Sequence, residues 1–429
     1  EETGRFIQMV EQYITSVHVT CGIYEESVKS GTESSMFHEH GLNIEPASII
    51  KKYTSLPVGA VGGINSPEQV DQAIADGKID FAIFGRQMLA DPDFTQKCMD
   101  GDEAQIRRCL RCYKCFPGSP EEGYDDLPFT SEQLAVYVGH CTINPTAHLP
   151  FDVEQLPPAE KGPQKVLIVG GGIAGIPAAD RGHKVTLAEK SDKLGGLLYF
   201  TDVDIDKPDL RNFKDMMIRE VKRHDVEILM NTEVTPEFIK EFAPDAVILA
   251  TGSVPACPPI NGIEHAHQAM SVYDGTCEPG KKVVMIGGGL VGCETGLYLQ
   301  KTGHEVTVVE MLDRVANESF GMYREALVWE MEKNNMTMLP KTKCLEITPN
   351  SVKIENADGV QELEADTILY ALGMKSVDYS ALKEAAGDAS VYVIGDAIHP
   401  GKVDQCTRTG YIAALKVGAS EESVAYIQE

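Results

Sequence analysis

The sequence predicts an α/β protein with parallel sheets, assembled in successive parts, and three observations lead there. Helix-like and strand-like stretches alternate up to about residue 105. Four cysteines crowd between Cys109 and Cys141. Further on, two apolar strands each run straight into a glycine-rich turn and a helix-like segment, KVLIVGGGIAG (165–175) and KVVMIGGGLVG (282–292). At 429 residues the chain has room for two to four domains, each burying its own core. Lys and Arg total 38 against 65 Asp and Glu, a net charge of −27. That surplus argues against nucleic acid or an anionic membrane as a partner. No apolar run approaches the roughly 18 residues of a membrane helix. The first residues also lack the basic-then-apolar pattern of a secretory leader.

The first part reads in order as a helix over 5–14, a strand SVHVT (16–20) and a helix over 46–53. A strand with a glycine turn, PVGAVGG (57–63), a helix from Pro67 to Asp76 and a strand DFAIFG (80–85) follow. This β–α–β–α–β order implies parallel strands. A (β/α)8 barrel needs eight such units of roughly 30 residues each. Residues 1–105 are therefore expected to be the C-terminal units of a TIM barrel whose first five units lie outside this sequence. In such barrels the loops after the last two strands cradle a phosphate. Gly62-Gly63 follows one strand and Gly85-Arg86 the next. Backbone amides plus one guanidinium suit the tail of flavin mononucleotide (FMN).

Residues 106–160 form a Pro- and acid-rich connector that ends in the linker LPPAEKGPQ (156–164). Cys109, Cys112 and Cys115 are separated by two residues each, and Cys141 follows after 25 more. Three close thiolates with a distant fourth suit a cubane iron–sulfur cluster. Structural zinc, which usually takes two CxxC pairs, and simple buried cysteines are the alternatives. In a chain without a leader pattern, such clustering suits a cytoplasmic metal site more than a disulfide scaffold. The other seven cysteines are scattered, and packing is their default role.

The second glycine motif is the cleaner. Gly287, Gly289 and Gly292 provide, in turn, the tight bend, the close approach of pyrophosphate and the tight helix–strand packing of a Rossmann-like unit. The following strand EVTVVE (305–310) ends in Glu310, 23 residues after Gly287. A carboxylate there accepts hydrogen bonds from an adenosine ribose and repels a 2′-phosphate, which favours NADH over NADPH, although Arg314 lies nearby. The first motif, with Gly170, Gly172 and Gly175, reaches its acid Glu189 after only 19 residues. The deficit of four residues is about one helical turn, roughly 5.4–6 Å, so either the helix is shortened or four residues are missing from the sequence. Pro177 adds strain where the helix wants an amide donor. The expected organisation is a first dinucleotide-binding unit over 161–280 and 386–429, interrupted by a second over 281–385.

An ordered set of landmarks now stands out: HVTCGIYE (18–25), AVGGINSPE (60–68), FGRQMLADPDF (84–94), the cysteine run, CTINP (141–145), KLGG (193–196), ATGSVP (250–255), ALGM (371–374) and VIGDA (393–397). Together they resemble the C-terminal two-thirds of the enoate reductase and 2,4-dienoyl-CoA reductase family, related to trimethylamine dehydrogenase and the old yellow enzymes. The resemblance implies FAD on the first Rossmann unit, through Gly170, Gly172, Gly175, Glu189, Lys190, Gly196, Gly395 and Asp396. It implies NAD(P)H on the second, through Gly287, Gly289, Gly292 and Glu310. It also implies a [4Fe–4S] cluster on Cys109, Cys112, Cys115 and Cys141, FMN in the barrel through Gly62, Gly63, Gly85 and Arg86, and a substrate-facing catalytic role for Tyr24. The sequence departs from the family in its cysteine gaps, which are usually three and about eleven residues where this chain has two and 25. The acidic stretch PEEGYDD (120–126) lengthens that loop, at small entropic cost.

The resemblance implies an oxidoreductase that passes electrons from NADH through FAD, iron–sulfur centre and FMN to a small α,β-unsaturated carbonyl compound. The alternatives are an amine-dehydrogenase-like enzyme running electrons outward and a non-catalytic electron-transfer remnant. The 429-residue piece by itself is expected to show NADH-to-acceptor (diaphorase) activity at most. A homo-oligomer is compatible with every one of these readings.

Overall fold

The structure is a computed structural model that describes the chain except for residues 24, 25, 27, 117–138, 148–159, 176–181, 225, 320 and 421–429. Two units emerge: residues 1–147 with 316–335, and 148–315 with 336–429.

In the first unit, β1 (Val17–Val19), β2 (Val58–Ala60) and β3 (Phe81–Ala82) form a parallel sheet in that order. β1 and β2 turn Val17, Val19, Val58 and Ala60 inward, and Val58 and Ala60 are fully buried in a core shared with Ile44, Ala47 and Ile79. Gly59 is small of necessity, since a Cβ there would lie 2.2 Å from the Phe81 ring. The helix Pro67–Ala75 starts where Ser66 caps the Gln69 amide at 3.4 Å and proline occupies the first turn. β3 is shorter than the stretch DFAIFG suggests. The Ile83 amide still bonds the Ala60 carbonyl at 2.9 Å, but the backbone turns away at Gly85 into the short helix Arg86–Ala90. The helix Gly321–Lys333 also belongs to this unit, with Tyr323 and Trp329 packed on Phe37 and His38.

The second unit holds two five-stranded sheets. In the first, the central strand Lys165–Val169 pairs in parallel with Lys184–Ala188 on one side and Ala246–Leu249 on the other. Val226–Leu229 and Ser390–Val393 complete the two edges. Numbered along the chain this is the doubly wound order 3-2-1-4-5. The second sheet repeats the arrangement: Lys282–Ile286 is central, Glu305–Val309 and Thr337–Leu339 lie on one side, and Thr367–Tyr370 and His267–Gln268 lie on the other. Its four main strands fall between Leu249 and Ser390, two neighbours in the first sheet, so the second fold is inserted in the first. The chain crosses between the sheets as an antiparallel pair, Ser253–Pro255 with Met374–Ser376. A three-stranded antiparallel sheet, 343–364, extends the inserted domain.

The register locates the four-residue difference between the glycine motifs. Lys165 lies opposite Lys184 and Lys282 opposite Glu305, and the first glycine amide bonds the last strand carbonyl in both copies, Gly170 to Ala188 and Gly287 to Val309, each at 2.9 Å. Strands and acids are thus aligned alike, and the deficit falls wholly between Gly175 and Lys184. The expected shortened helix and Pro177 lie in that stretch, outside the described residues. No helix of the described residues is long and apolar enough to cross a membrane.

Candidate functional site

The two glycine loops are built on the same plan. Gly170 has φ +109° and Gly287 φ +99°, and a Cβ at either would sit 2.3 Å from a carbonyl oxygen, that of Ala250 or of Ala371. Only glycine satisfies both conditions. Gly175 and Gly292 are constrained by space alone, a Cβ there lying 2.6 and 1.9 Å from the carbonyl oxygens of Gly170 and Gly287. Gly172, by contrast, has open space beyond its Cα, which leaves its backbone exposed to approach by a diphosphate. Gly289 forms the start of the helix Leu290–Lys301, whose first-turn amides suit an anion.

Each loop is closed by its acid. Glu189 Oε2 accepts from the Gly171 amide and Glu310 Oε2 from the Gly288 amide, both at 2.7 Å. The second oxygens accept from Ser191 and Leu312 at 2.8 and 2.7 Å. Both carboxylates are 8% exposed. The sequence assigns these acids to ribose; the structure adds that they brace the loop itself. Lys190, next to Glu189, is exposed.

Around the first loop gather the remaining residues implied for FAD. The Gly195 amide bonds the Gly171 carbonyl at 2.9 Å, and a Cβ on Gly196 would come within 3.2 Å of the Gly172 Cα. Gly395 packs on Ala174, again with positive φ, +58°. The Asp396 carboxylate accepts from Ser253 Oγ at 2.6 Å and from the Gly401 amide at 3.1 Å, so it also ties down the interdomain crossing. These contacts bring Gly170, Gly172, Gly175, Glu189, Gly196, Gly395 and Asp396 into one neighbourhood, as sequence spacing alone does not.

In the first unit, the Gly62 carbonyl accepts from the amides of Gly41 and Leu42 at 2.8 and 3.2 Å. A Cβ on Gly63 would lie 2.7 Å from Ser34 Oγ and 2.9 Å from Arg111 Cδ. Arg86 donates through Nη2 to the Ser34 carbonyl at 2.7 Å, while its Nη1 is buried with no hydrogen-bond partner among the described residues. Ser34 Oγ is in the same condition. Buried donors of this kind are costly unless something accepts from them. A phosphate beside Arg86 is such an acceptor, so the guanidinium, which also lies over the Tyr113 ring at 5.2 Å and near Cys109 and Cys115, fits the tail of FMN. Ser34 and Arg111 carry no signal in the sequence, because only the fold brings them to the glycine pair. Tyr24 lies outside the described residues.

None of the eleven cysteines forms a disulfide. Burial first, then the neighbouring Cys109 and Cys112, pushes the Cys115 thiol up to about 12. Burial likewise pushes Cys141 up to about 12, with Cys112 and Cys109 adding to it. Cys115 and Cys141, with 25 residues between them, are thus each within electrostatic reach of Cys109 and Cys112. The Arg111 amide points to Cys109 Sγ at 3.4 Å, and Cys112 Sγ lies 3.2 Å from Thr142 Oγ1. The donor set fits a thiolate-held group, since a metal deprotonates such thiols outright. Among the described residues, no three His, Cys, Asp or Glu side chains converge as ligands of a single ion would.

Comparison with known proteins agrees with this geometry. Residues 164–410 match the pyridine nucleotide-disulphide oxidoreductase family, and residues 2–105 match the NADH:flavin oxidoreductase / NADH oxidase family. An NADH oxidase of Thermoanaerobacter brockii is 34% identical over 435 residues, covering 97% of this chain and 64% of the relative. A cinnamate reductase of Clostridium sporogenes is 38% identical over 280 residues, 64% of this chain and 40% of the relative. The solved complex of 2-naphthoyl-CoA reductase with 2-naphthoyl-CoA is 28% identical, with a TM-score of 0.86, over 97% of this chain and 62% of that one. The chain thus spans less than two thirds of the length of these relatives. It belongs to the pyridine nucleotide-disulphide oxidoreductase family, in the enoate reductase-like branch where that fold follows an NADH:flavin oxidoreductase domain.

Proposed function

We propose that this chain is the electron-delivering part of a flavin-dependent reductase of α,β-unsaturated carbonyl compounds, with NADH as donor. FAD belongs on the first glycine loop, NADH on the second, FMN on the glycine–arginine cradle and a [4Fe–4S] cluster on the four cysteines. Bound there, these groups supply two-electron hydride exchange at the nicotinamide and flavins and one-electron relay between them. The observation that carries the proposal is the coexistence, in one chain, of two inserted dinucleotide folds and a phosphate cradle whose Arg86 Nη1 lacks an acceptor. A chain serving only as a dinucleotide-dependent reductase of disulfides has no use for that cradle. The substrate class is supported by the relatives named for cinnamate and naphthoyl-CoA reduction.

The protein's own residues do the positioning. Glu310, held by Gly288 and Leu312, offers its remaining lone pairs to a ribose and sets a negative charge against a 2′-phosphate. Arg86 and the amides at Gly62-Gly63 anchor the flavin tail. Three closely spaced cysteines with a distant fourth suit a cluster better than zinc, which usually takes two CxxC pairs. A cubane spreads its ligands over separate corners.

The test is anaerobic reduction of cinnamate-type acids and enones by NADH in the full-length protein, with FMN, FAD and iron counted per chain. NADH oxidation that none of these compounds accelerates, in protein that holds both flavins and iron, overturns the substrate assignment. Bleaching of flavin by an amine, with none by NADH, favours the outward-running dehydrogenase instead.

A further inference from the structure

The two dinucleotide folds are joined covalently by the antiparallel pair Ser253–Pro255 and Met374–Ser376. A two-stranded ribbon of this length is a weak determinant of orientation, and domains so joined move unless other contacts hold them. Among the described residues, the charged contacts come from one short loop, and the Tyr199 hydroxyl adds a bond to the Met270 carbonyl at 3.3 Å. Asp204, Asp206 and Lys207 lie between the segment Gly196–Asp202, which leads from the first glycine loop, and the helix Pro208–Arg223. Asp206 and Lys207 reach the helix Leu290–Lys301 of the second fold, and Asp204 reaches Tyr273, which packs on that helix.

Lys207, 4% exposed, pairs with Glu294 on the helix Leu290–Lys301. Asp206 pairs with Lys301, seven residues on along the same helix, at 2.9 Å, and both side chains are 16% exposed. Asp204, 1% exposed, accepts from the Tyr273 hydroxyl at 3.3 Å. The Tyr273 ring lies 5.3 Å from that of Tyr298 on the same helix and 5.6 Å from that of Phe200 on the segment Gly196–Asp202. Burial, ahead of the opposing pull of Lys207, raises the Asp204 carboxyl above the usual carboxylate range. Burying this many polar groups is expensive unless the partners stay in register. A loop adjoining one glycine motif is therefore locked to the helix that begins at the other.

We propose that the loop 203–207 is a clamp that fixes the inserted fold against the first, with Lys207, Asp206 and Asp204 as positioning residues for hydride transfer. The proposal rests on the assignment of FAD to the first loop and NADH to the second. Transfer needs the reacting atoms about 3–3.5 Å apart, so a fold that swings on its ribbon loses rate without losing affinity. No clamp residue is among the glycines or acids assigned to the cofactors.

Lys207→Met and Lys301→Ala test this in the full 429-residue chain loaded with FAD. Small-angle scattering is recorded first, without NADH. Anaerobic stopped-flow then follows flavin bleaching across NADH concentrations, which separates affinity from rate. The expected result is a broader interatomic distance distribution in both variants, with bleaching slowed roughly tenfold or more and NADH affinity within about threefold of the unsubstituted chain. Scattering identical to the unsubstituted chain overturns the clamp, whatever NADH does. Unchanged bleaching with altered scattering overturns its part in hydride transfer. If the unsubstituted chain is not bleached by NADH while both variants scatter as expected, the cofactor assignment falls and the clamp stands. Lys207→Met leaves Glu294 without its buried partner, and should that variant lose its fold, the less buried pair probed by Lys301→Ala decides.

Discussion

The Glu310 carboxylate accepts a hydrogen bond from the Gly288 amide at 2.7 Å, across a gap of 22 residues. The same bond, of the same length, joins Glu189 to Gly171. Each acid therefore has two tasks, closing its own glycine loop and facing the nucleotide, and substitutions separate them.

Glu310→Gln keeps the acceptor that braces Gly288 but removes the charge and the acceptor that meets Leu312, whereas Glu310→Ala removes everything. Glu310→Gln should weaken NADH binding about tenfold, or about 1.4 kcal/mol, and raise the ratio of NADPH to NADH affinity. Glu310→Ala should weaken both nucleotides further, because the loop loses its brace. Titration of flavin bleaching with each nucleotide measures the ratio, and an unchanged ratio in Glu310→Gln removes the ribose role.

Gly170 and Gly287 each face a backbone carbonyl that cannot move aside cheaply. Gly287→Ala should cost about 2–4 kcal/mol and abolish NADH binding while leaving FAD content intact. Gly170→Ala should do the reverse. Flavin counted by absorbance and NADH binding by titration check the pair, and loss of both ligands in both variants contradicts the assignment of one nucleotide to each loop.

Arg86 carries the cradle. Arg86→Met removes the unsatisfied Nη1 and the bond to Ser34, so FMN content of the full-length protein should fall by at least tenfold while FAD stays. Arg86→Lys should recover part of it, because an ammonium keeps the charge without the planar fork. Extraction and chromatographic separation of the two flavins gives the answer.

For the cysteines the readout is iron. Cys141→Ser should remove most of the iron and the broad brown absorbance, as should Cys112→Ser, whereas Cys344→Ser should leave both unchanged. Zinc in place of iron in anaerobically purified protein sinks the cluster assignment. Chelation of the unsubstituted protein should release iron and leave FAD in place, because the cysteines and the first glycine loop belong to different units.

Much of this organisation is legible in the sequence because local rules write it there. Glycine at φ near +100° beside a carbonyl has no substitute, so the two motifs announce their strands, turns and acids without help from the rest of the chain. Alternating apolar patches show parallel β–α units, and four cysteines in 33 residues show a site. The identity of the sheet neighbours is another matter. The return of Ser390–Val393 to the first fold after the inserted one is expected from the sequence, but its pairing with Ala246–Leu249 is recorded in no local window.

What the sequence determined by itself is the set of backbone conformations and chemical groups: two glycine loops with their acids, a Gly-Gly and a Gly-Arg turn, and four thiols. What only the tertiary structure decided is who stands beside whom. Ser34 and Arg111 reach Gly63 from distant stretches, the helix Gly321–Lys333 joins the first unit although it lies within the span read as NAD(P)-binding, and the loop 203–207 grips the helix of the second motif. The physical reason is that turns and motifs are stabilised by neighbours along the chain, whereas ion pairs and orphaned donors acquire meaning only when desolvation brings remote residues together.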